Sequence, residues 1–189
     1  MGVVVVGKEA DAGATPSASV LLRTFPSVED PMVQKWIRFR NTILGDAPVA
    51  LGTPPAGRSP KASSSTARSS HPGGGVLYWR LVASNNRELG RSALLYQSVD
   101  QARRHVERIM SAAAELKIDA VADRSALRRG WVLSLEAAPV MTSARWYTSS
   151  STSVSSAMSA LAALQGARVL VGPTRAASTT PIERDSVAG

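Results

Sequence analysis

The feature that most constrains this chain is an internal echo. "WRLVASNNRELGRSALLY" runs from Trp79 to Tyr96, and "LSLEAAPVMTSARWY" follows from Leu133 to Tyr147. Each passage alternates, turns, alternates again and stops at a tyrosine. In the first, Leu77, Trp79, Leu81 and Ala83 alternate with Tyr78, Arg80 and Val82, the pattern of a half-buried strand. Asn85-Asn86 suits a turn because asparagine tolerates positive φ, and "ELGRSALLY" returns. Ser98 and Gln101 have the spacing of a capping box, ahead of a helical stripe of Val99, Ala102, Val106, Ile109, Ala113 and Leu116. "KIDAV" (117–121) reads as a short strand.

The second passage keeps the order. Trp131, Leu133, Leu135 and Ala137 alternate with Val132, Ser134 and Glu136, and "MTSARWY" returns. Val154, Ala157, Leu161 and Leu164 draw a helical stripe, Gly166 is a natural stop, and "ARVLV" (167–171) closes as a strand. Aligning like with like puts Leu77 on Trp131, Trp79 on Leu133 and Leu81 on Leu135 at an offset of 54. Ser92 then falls on Ser143 and Tyr96 on Tyr147 at 51, Val99 on Val154 and Val106 on Leu161 at 55, and Ile118 on Val169 at 51. This alignment implies residues lost in the second hairpin, regained before the helix, and a second helix about one turn shorter. Trp79, Leu81, Ser92 and Tyr96, with Leu133, Leu135, Ser143 and Tyr147, are its markers. The expected fold is α+β: two tandem strand-rich repeats (76–122 and 130–172), each with one helix, sharing a single antiparallel sheet with the helices on one face.

These passages, with the helix opening "SVDQARRHVERI" and the strand "KIDAV", resemble the YegP-like family of small prokaryotic proteins. Its repeat runs aromatic-x-Leu-x-Ala, an Asn-Gly turn, Ser, Tyr, a helix and a strand. The resemblance covers 76–172, about half the chain. It departs at Asn85-Asn86, at Ala138-Pro139 and at Leu133, which stands in the aromatic position. What the resemblance implies is a shared sheet in which the repeats exchange their final strands. It implies no activity, since that family's function is not established.

Outside the repeats, residues 1–75 read as a mostly disordered N-terminal arm and 173–189 as a disordered tail. The run 46–75 is rich in Pro, Ser, Gly and Ala and lacks an apolar period. A short amphipathic helix is expected at 31–44, with Asp30 as N-cap, Pro31 at the first position and Gly45 as stop. Val33, Trp36, Ile37 and Leu44 lie on one side of it. Such a helix docks on a membrane or partner, packs on the domain, or stays mobile; the last two are the plainer readings. A start codon downstream would remove the region altogether.

Composition narrows function. The 189 residues include no cysteine, which removes disulfides, thiolate metal sites and cysteine nucleophiles. No apolar run approaches the ~20 residues of a membrane span, and the N-terminus lacks a signal-peptide pattern, so a cytoplasmic setting is expected. With two histidines, His71 and His105, and no i,i+4 pair, no metal site or cofactor is expected. No nucleophile–base–acid set can be assembled, so no catalytic residue is assigned. Tyr96 and Tyr147 have no partner base near both copies.

The net charge of +8 is spread: +3 over 1–75, +4 over 76–130, +1 over 131–172 and zero beyond. Arginine bias also follows from a GC-rich genome. The leading expectation is a non-enzymatic interaction module of a bacterial cytoplasm, binding an unknown protein or itself. Its candidate face is Tyr78, Arg80, Val82, Ser134 and Glu136, on the sheet side away from the helices. The alternative is weak, sequence-indifferent nucleic-acid binding through Arg80, Arg91, Arg103 and Arg104.

Overall fold

The computed structural model describes residues 18–45, 75–123 and 126–171. Of the expected disordered arm 1–75 and tail 173–189, residues 1–17, 46–74 and 173–189 lie outside them, whereas 18–45 carry a strand and a helix. The elements are β1 (Ser19–Phe25), α1 (Pro31–Leu44), β2 (Val76–Val82), β3 (Glu88–Ser92), α2 (Val99–Ser111), β4 (Lys117–Asp123), β5 (Arg128–Leu135), β6 (Ala138–Ser143), α3 (Ser150–Gln165) and β7 (Arg168–Val171), with a 3₁₀ turn at Ala113–Glu115. The fold is α+β. The strands form one sheet in the order β4-β5-β6-β3-β2-β1-β7.

Hydrogen bonds fix which residues of the two halves correspond. Trp79 N donates to Ser92 Oγ (3.3 Å), and Trp131 N donates to Ser143 Oγ (3.5 Å). Leu77 bridges Tyr96, and Arg129 bridges Tyr147. Ser98 Oγ caps α2 by accepting from Gln101 N, and Ser149 Oγ caps α3 by accepting from Thr152 N. Trp79 therefore corresponds to Trp131, not to Leu133, at an offset of 52. From Ser92 onward every pair stands 51 apart, including Ala102 with Ser153, Val106 with Ala157 and Ile109 with Ala160, all buried.

This corrects the alignment of 54 and 55 and removes its large insertions. Both hairpins shift register at the same place, between Leu81 and Val82 and between Leu133 and Ser134. They differ only at the tip. Ala83 N bonds Arg87 O across Ser84, Asn85 and Asn86, whereas Leu135 pairs with Ala138 across Glu136 and Ala137 alone. Asn86 takes positive φ (59°) in the longer turn, and Glu136 (51°) and Ala137 (65°) both do in the shorter, as a two-residue type I′ turn requires. The second turn is thus Glu136-Ala137, and Pro139 lies within β6 opposite Ser134. The α3 stripe shifts likewise: Val154 is exposed and Leu161 half-buried, while Ser153, Ala157, Ala160 and Leu164 face inward.

The final strands sit in exchanged positions. β4 leaves the first half and pairs antiparallel with β5 of the second. β7 leaves the second half and lies on the side of the first, but β1 stands between it and β2. β1 pairs antiparallel with β2 and parallel with β7, so the sheet is mixed and not wholly antiparallel. β1, at 19–25, is not among the expected strands; it joins the sheet as the second strand from one end.

One face of the sheet carries the main core. Val20, Leu22, Leu77, Trp79, Leu81, Trp131, Leu133 and Met141 pack there with Ala102, Val106 and Ile109 of α2 and Ala157, Ala160 and Leu164 of α3. The other face is covered by α1, so the helices do not all lie on one side. Asp30 Oδ1 caps α1 by accepting from Met32 N (2.8 Å), with Pro31 in the first turn and Gly45 at the end. Val33 and Trp36 of this helix join Phe25, Val76, Tyr78 and Leu95 in a second core. Arg40, also buried, donates from Nε to the Ala93 carbonyl (2.7 Å) and anchors the helix against the strand exit.

Candidate functional site

The sheet face expected to be open is largely occupied. Tyr78 is buried between two rings of its own chain: Phe25 at 5.2 Å and 12°, and Trp36 at 5.4 Å and 11°, both stacked. Burial raises the ionisation of its phenol above the ordinary range. Val82 and Ser134 are buried as well, and Ser134 Oγ donates to Asp119 Oδ2 on β4 (3.2 Å). Glu136 belongs to a turn and pairs with Arg108 of α2 (2.8 Å). Strand alternation places Tyr78, Arg80 and Val82 on one side, but α1 and β1 supply the cover, and neither is encoded in that alternation.

The four arginines proposed for nucleic acid do not share a surface. Arg80 pairs opposite Arg91 across β2 and β3, and both hold Glu88, Arg80 at 3.6 Å and Arg91 through its Nε. The guanidinium of Arg91 lies 5.9 Å from the Phe39 ring of α1. Arg103 and Arg104 are exposed on α2, which covers the opposite face of the sheet.

The first half contains a polar chain inside the main core. Trp79 Nε1 donates to Tyr96 Oη (3.0 Å), and Tyr96 Oη lies 2.7 Å from His105 Nδ1. An indole nitrogen only donates, so the tyrosine oxygen accepts there, and it shares a second hydrogen bond with His105 Nδ1. Trp79 and Tyr96 are fully buried and His105 is 2 % exposed. Burial holds the His105 pKa down at about 4, with Arg108 adding to the depression, and raises that of Tyr96 well above its ordinary value. Both groups are neutral at pH 7. The chain satisfies three buried polar groups.

As expected, no base stands near both repeated tyrosines, but one stands near the first. It lies nine residues after Tyr96, on the inner side of α2. The signal lay in the helix phase: His105 adjoins Val106 and stands three residues from Ala102. In the second half the same spacing leads from Tyr147 to Ser156, whose hydroxyls hydrogen-bond, while Trp131 Nε1 is buried without a hydrogen-bond partner.

The two sheet edges differ. β4 carries Lys117, Asp119 and Asp123, with Asp123 paired to Arg128 (3.6 Å). β7 carries Leu170 and Val171, 46 % and 53 % exposed. Among the described residues no group of three His, Asp or Glu side chains could hold a metal, and no helix is long and apolar enough to cross a membrane.

No protein-family model and no curated protein matches the chain. Two solved structures are similar to it. A protein of unknown function from E. coli, yegP, is 16% identical over 52% of this chain and 85% of its own, with a TM-score of 0.40. A UPF0339 protein from Shewanella oneidensis is 16% identical over 50% of this chain and 81% of its own, with a TM-score of 0.41.

Proposed function

We propose that this chain is a YegP-like tandem repeat acting as a non-enzymatic interaction module, and that it takes an extended segment of a protein partner along β7. The setting assumed is a bacterial cytoplasm. The observation that carries this reading is the contrast between the edges. A terminal strand presents unpaired N–H and C=O groups to any strand beside it, and proteins blunt such edges with charge. β4 is blunted in that way. β7 presents exposed Leu170 and Val171 behind a single charge, Arg168. Strand addition draws affinity from main-chain hydrogen bonds and selectivity from alternate side chains. A chain of charge +8 with Arg168 on the edge selects a partner strand that alternates apolar and acidic residues.

The test is fluorescence anisotropy of a labelled peptide of alternating valine and glutamate, titrated with the full chain. A proline-interrupted peptide of the same composition is the control. Binding of the first and not the second, weakened at least about fivefold by Leu170→Lys, is expected. Equal affinity for both peptides, or an unchanged affinity in Leu170→Lys, overturns the reading. Self-association that Leu170→Lys abolishes would assign the same edge to a second copy and overturn the choice of a foreign strand.

A further inference from the structure

The two halves differ where each helix meets the other half's hairpin. On the α2 side, Arg108 reaches from the helix to Glu136 at the tip of the second hairpin and closes the gap with an ion pair at 2.8 Å. On the α3 side the counterpart of Arg108 is Ser159, and the gap stays open as a cleft of about 200 Å³ between α3 and the first hairpin. Along its helical wall, Thr152, Ser155, Ser156 and Ser159 stand where α2 has Gln101, Arg104, His105 and Arg108. Four short hydroxyl residues thus leave open the room that Arg108 closes on the other side.

The opposite wall is cationic. Arg87 enters from the hairpin and Arg145 from the loop before α3. Neither has a carboxylate partner among the described residues. The Arg145 guanidinium lies 5.5 Å from the centroid of the Tyr147 ring, a cation–π contact that limits its freedom before any ligand arrives. Glu88 also borders the cleft, but its carboxylate is held by Arg80 and Arg91. Leu89 and Tyr147 supply an apolar floor.

We infer that this cleft binds the phosphate group of a small organic phosphate monoester. The ligand's dianion would take the place that the Arg108–Glu136 pair fills in the other half. Guanidinium forks match phosphate oxygens two at a time, and serine and threonine hydroxyls donate to those that remain. The apolar floor accommodates the ester carbon, so an organic phosphate binds more tightly than inorganic phosphate.

The full chain is titrated at low salt with phenyl phosphate and with inorganic phosphate while its amide resonances are followed. Phenyl phosphate is expected to bind more tightly, with shifts confined to 87–89, 145–147 and 152–159. Arg87→Gln and Arg145→Gln are each expected to weaken it about tenfold, as the loss of a charge-assisted hydrogen bond does. Ser159→Glu, which sets a carboxylate beside the two arginines, is expected to abolish binding and leave the spectrum of the first half unchanged. Arg103→Gln is expected to change nothing. The inference is overturned if Arg145→Gln or Ser159→Glu binds like the unaltered chain, or if resonances around Arg103 and Arg104 shift as strongly as those of the cleft.

Discussion

The two halves of this sheet share a backbone plan and fill it with opposite chemistry. In the first, Tyr96 links Trp79 to His105, and the gap beside α2 is closed by Arg108 and Glu136. In the second, Tyr147 bonds Ser156 near the surface, Trp131 Nε1 has no partner, and the gap beside α3 is open. One substitution pair underlies much of the contrast: histidine at 105 against serine at 156. The larger side chain carries polar contact into the core, and the smaller one leaves room at the rim. The comparison teaches that one supersecondary plan tolerates either a sealed polar core or an open cleft, provided the strand registers hold.

The largest effect expected comes from the junction of the halves. β3 meets β6 there, and a Cβ on Gly90 would lie 2.2 Å from Met141 Cε and 2.8 Å from Thr142 O and the Trp131 ring. Since backbone cannot yield, Gly90→Ala should cost roughly 3 kcal/mol or more in urea unfolding. Gly130→Ala, whose Cβ would meet Trp146 at 3.1 Å, should cost about 1 kcal/mol. Equal costs would break the claim that the junction is the tighter site.

Acid should act on the first half through His105. His105 in the fold titrates near 4, below the ordinary 6.5, because burial disfavours the charged ring. As pH falls below 6.5 the unfolded chain takes up the proton first, so stability is lost progressively down to about 4. The whole window is worth on the order of 3 kcal/mol, after which this group adds nothing. Urea midpoints at pH 7, 6 and 5 should fall more steeply for the unaltered chain than for His105→Gln, and parallel slopes would falsify the assignment.

Removing the tyrosine hydroxyls should separate the halves again. Tyr96→Phe strands the Trp79 and His105 nitrogens and should cost about 2 kcal/mol, whereas Tyr147→Phe frees a half-exposed serine and should cost under about 1 kcal/mol. One substitution should instead give a gain. Ala137 holds φ 65°, a conformation that disfavours a side chain, so Ala137→Gly should raise the thermal midpoint by the equivalent of about 1 kcal/mol. Asn86→Gly, where asparagine already suits the turn, should change it less.

The sequence by itself determined the element types and their order in the repeats, the helix at 31–44 with its Asp30 cap, and which residues of β2 and β5 share a face. Alternation and helical periodicity are properties of neighbours along the chain, and burial on one face enforces them. The same periodicities hid the register. A slip of two residues leaves every strand side chain on its own face, and a slip of four nearly restores a helix stripe, so offsets of 54 and 55 mimicked the true 52 and 51. Only the tertiary structure decided between them, through Ser92, Ser143 and the paired helix caps, because a hydrogen bond depends on distance and not on period. It alone also decided that β1 enters between β2 and β7, that α1 covers Tyr78, and that Tyr96 meets His105. Each of these joins segments whose patterns are complete without the other, and the contact that selects among their arrangements exists only once the chain has closed on itself.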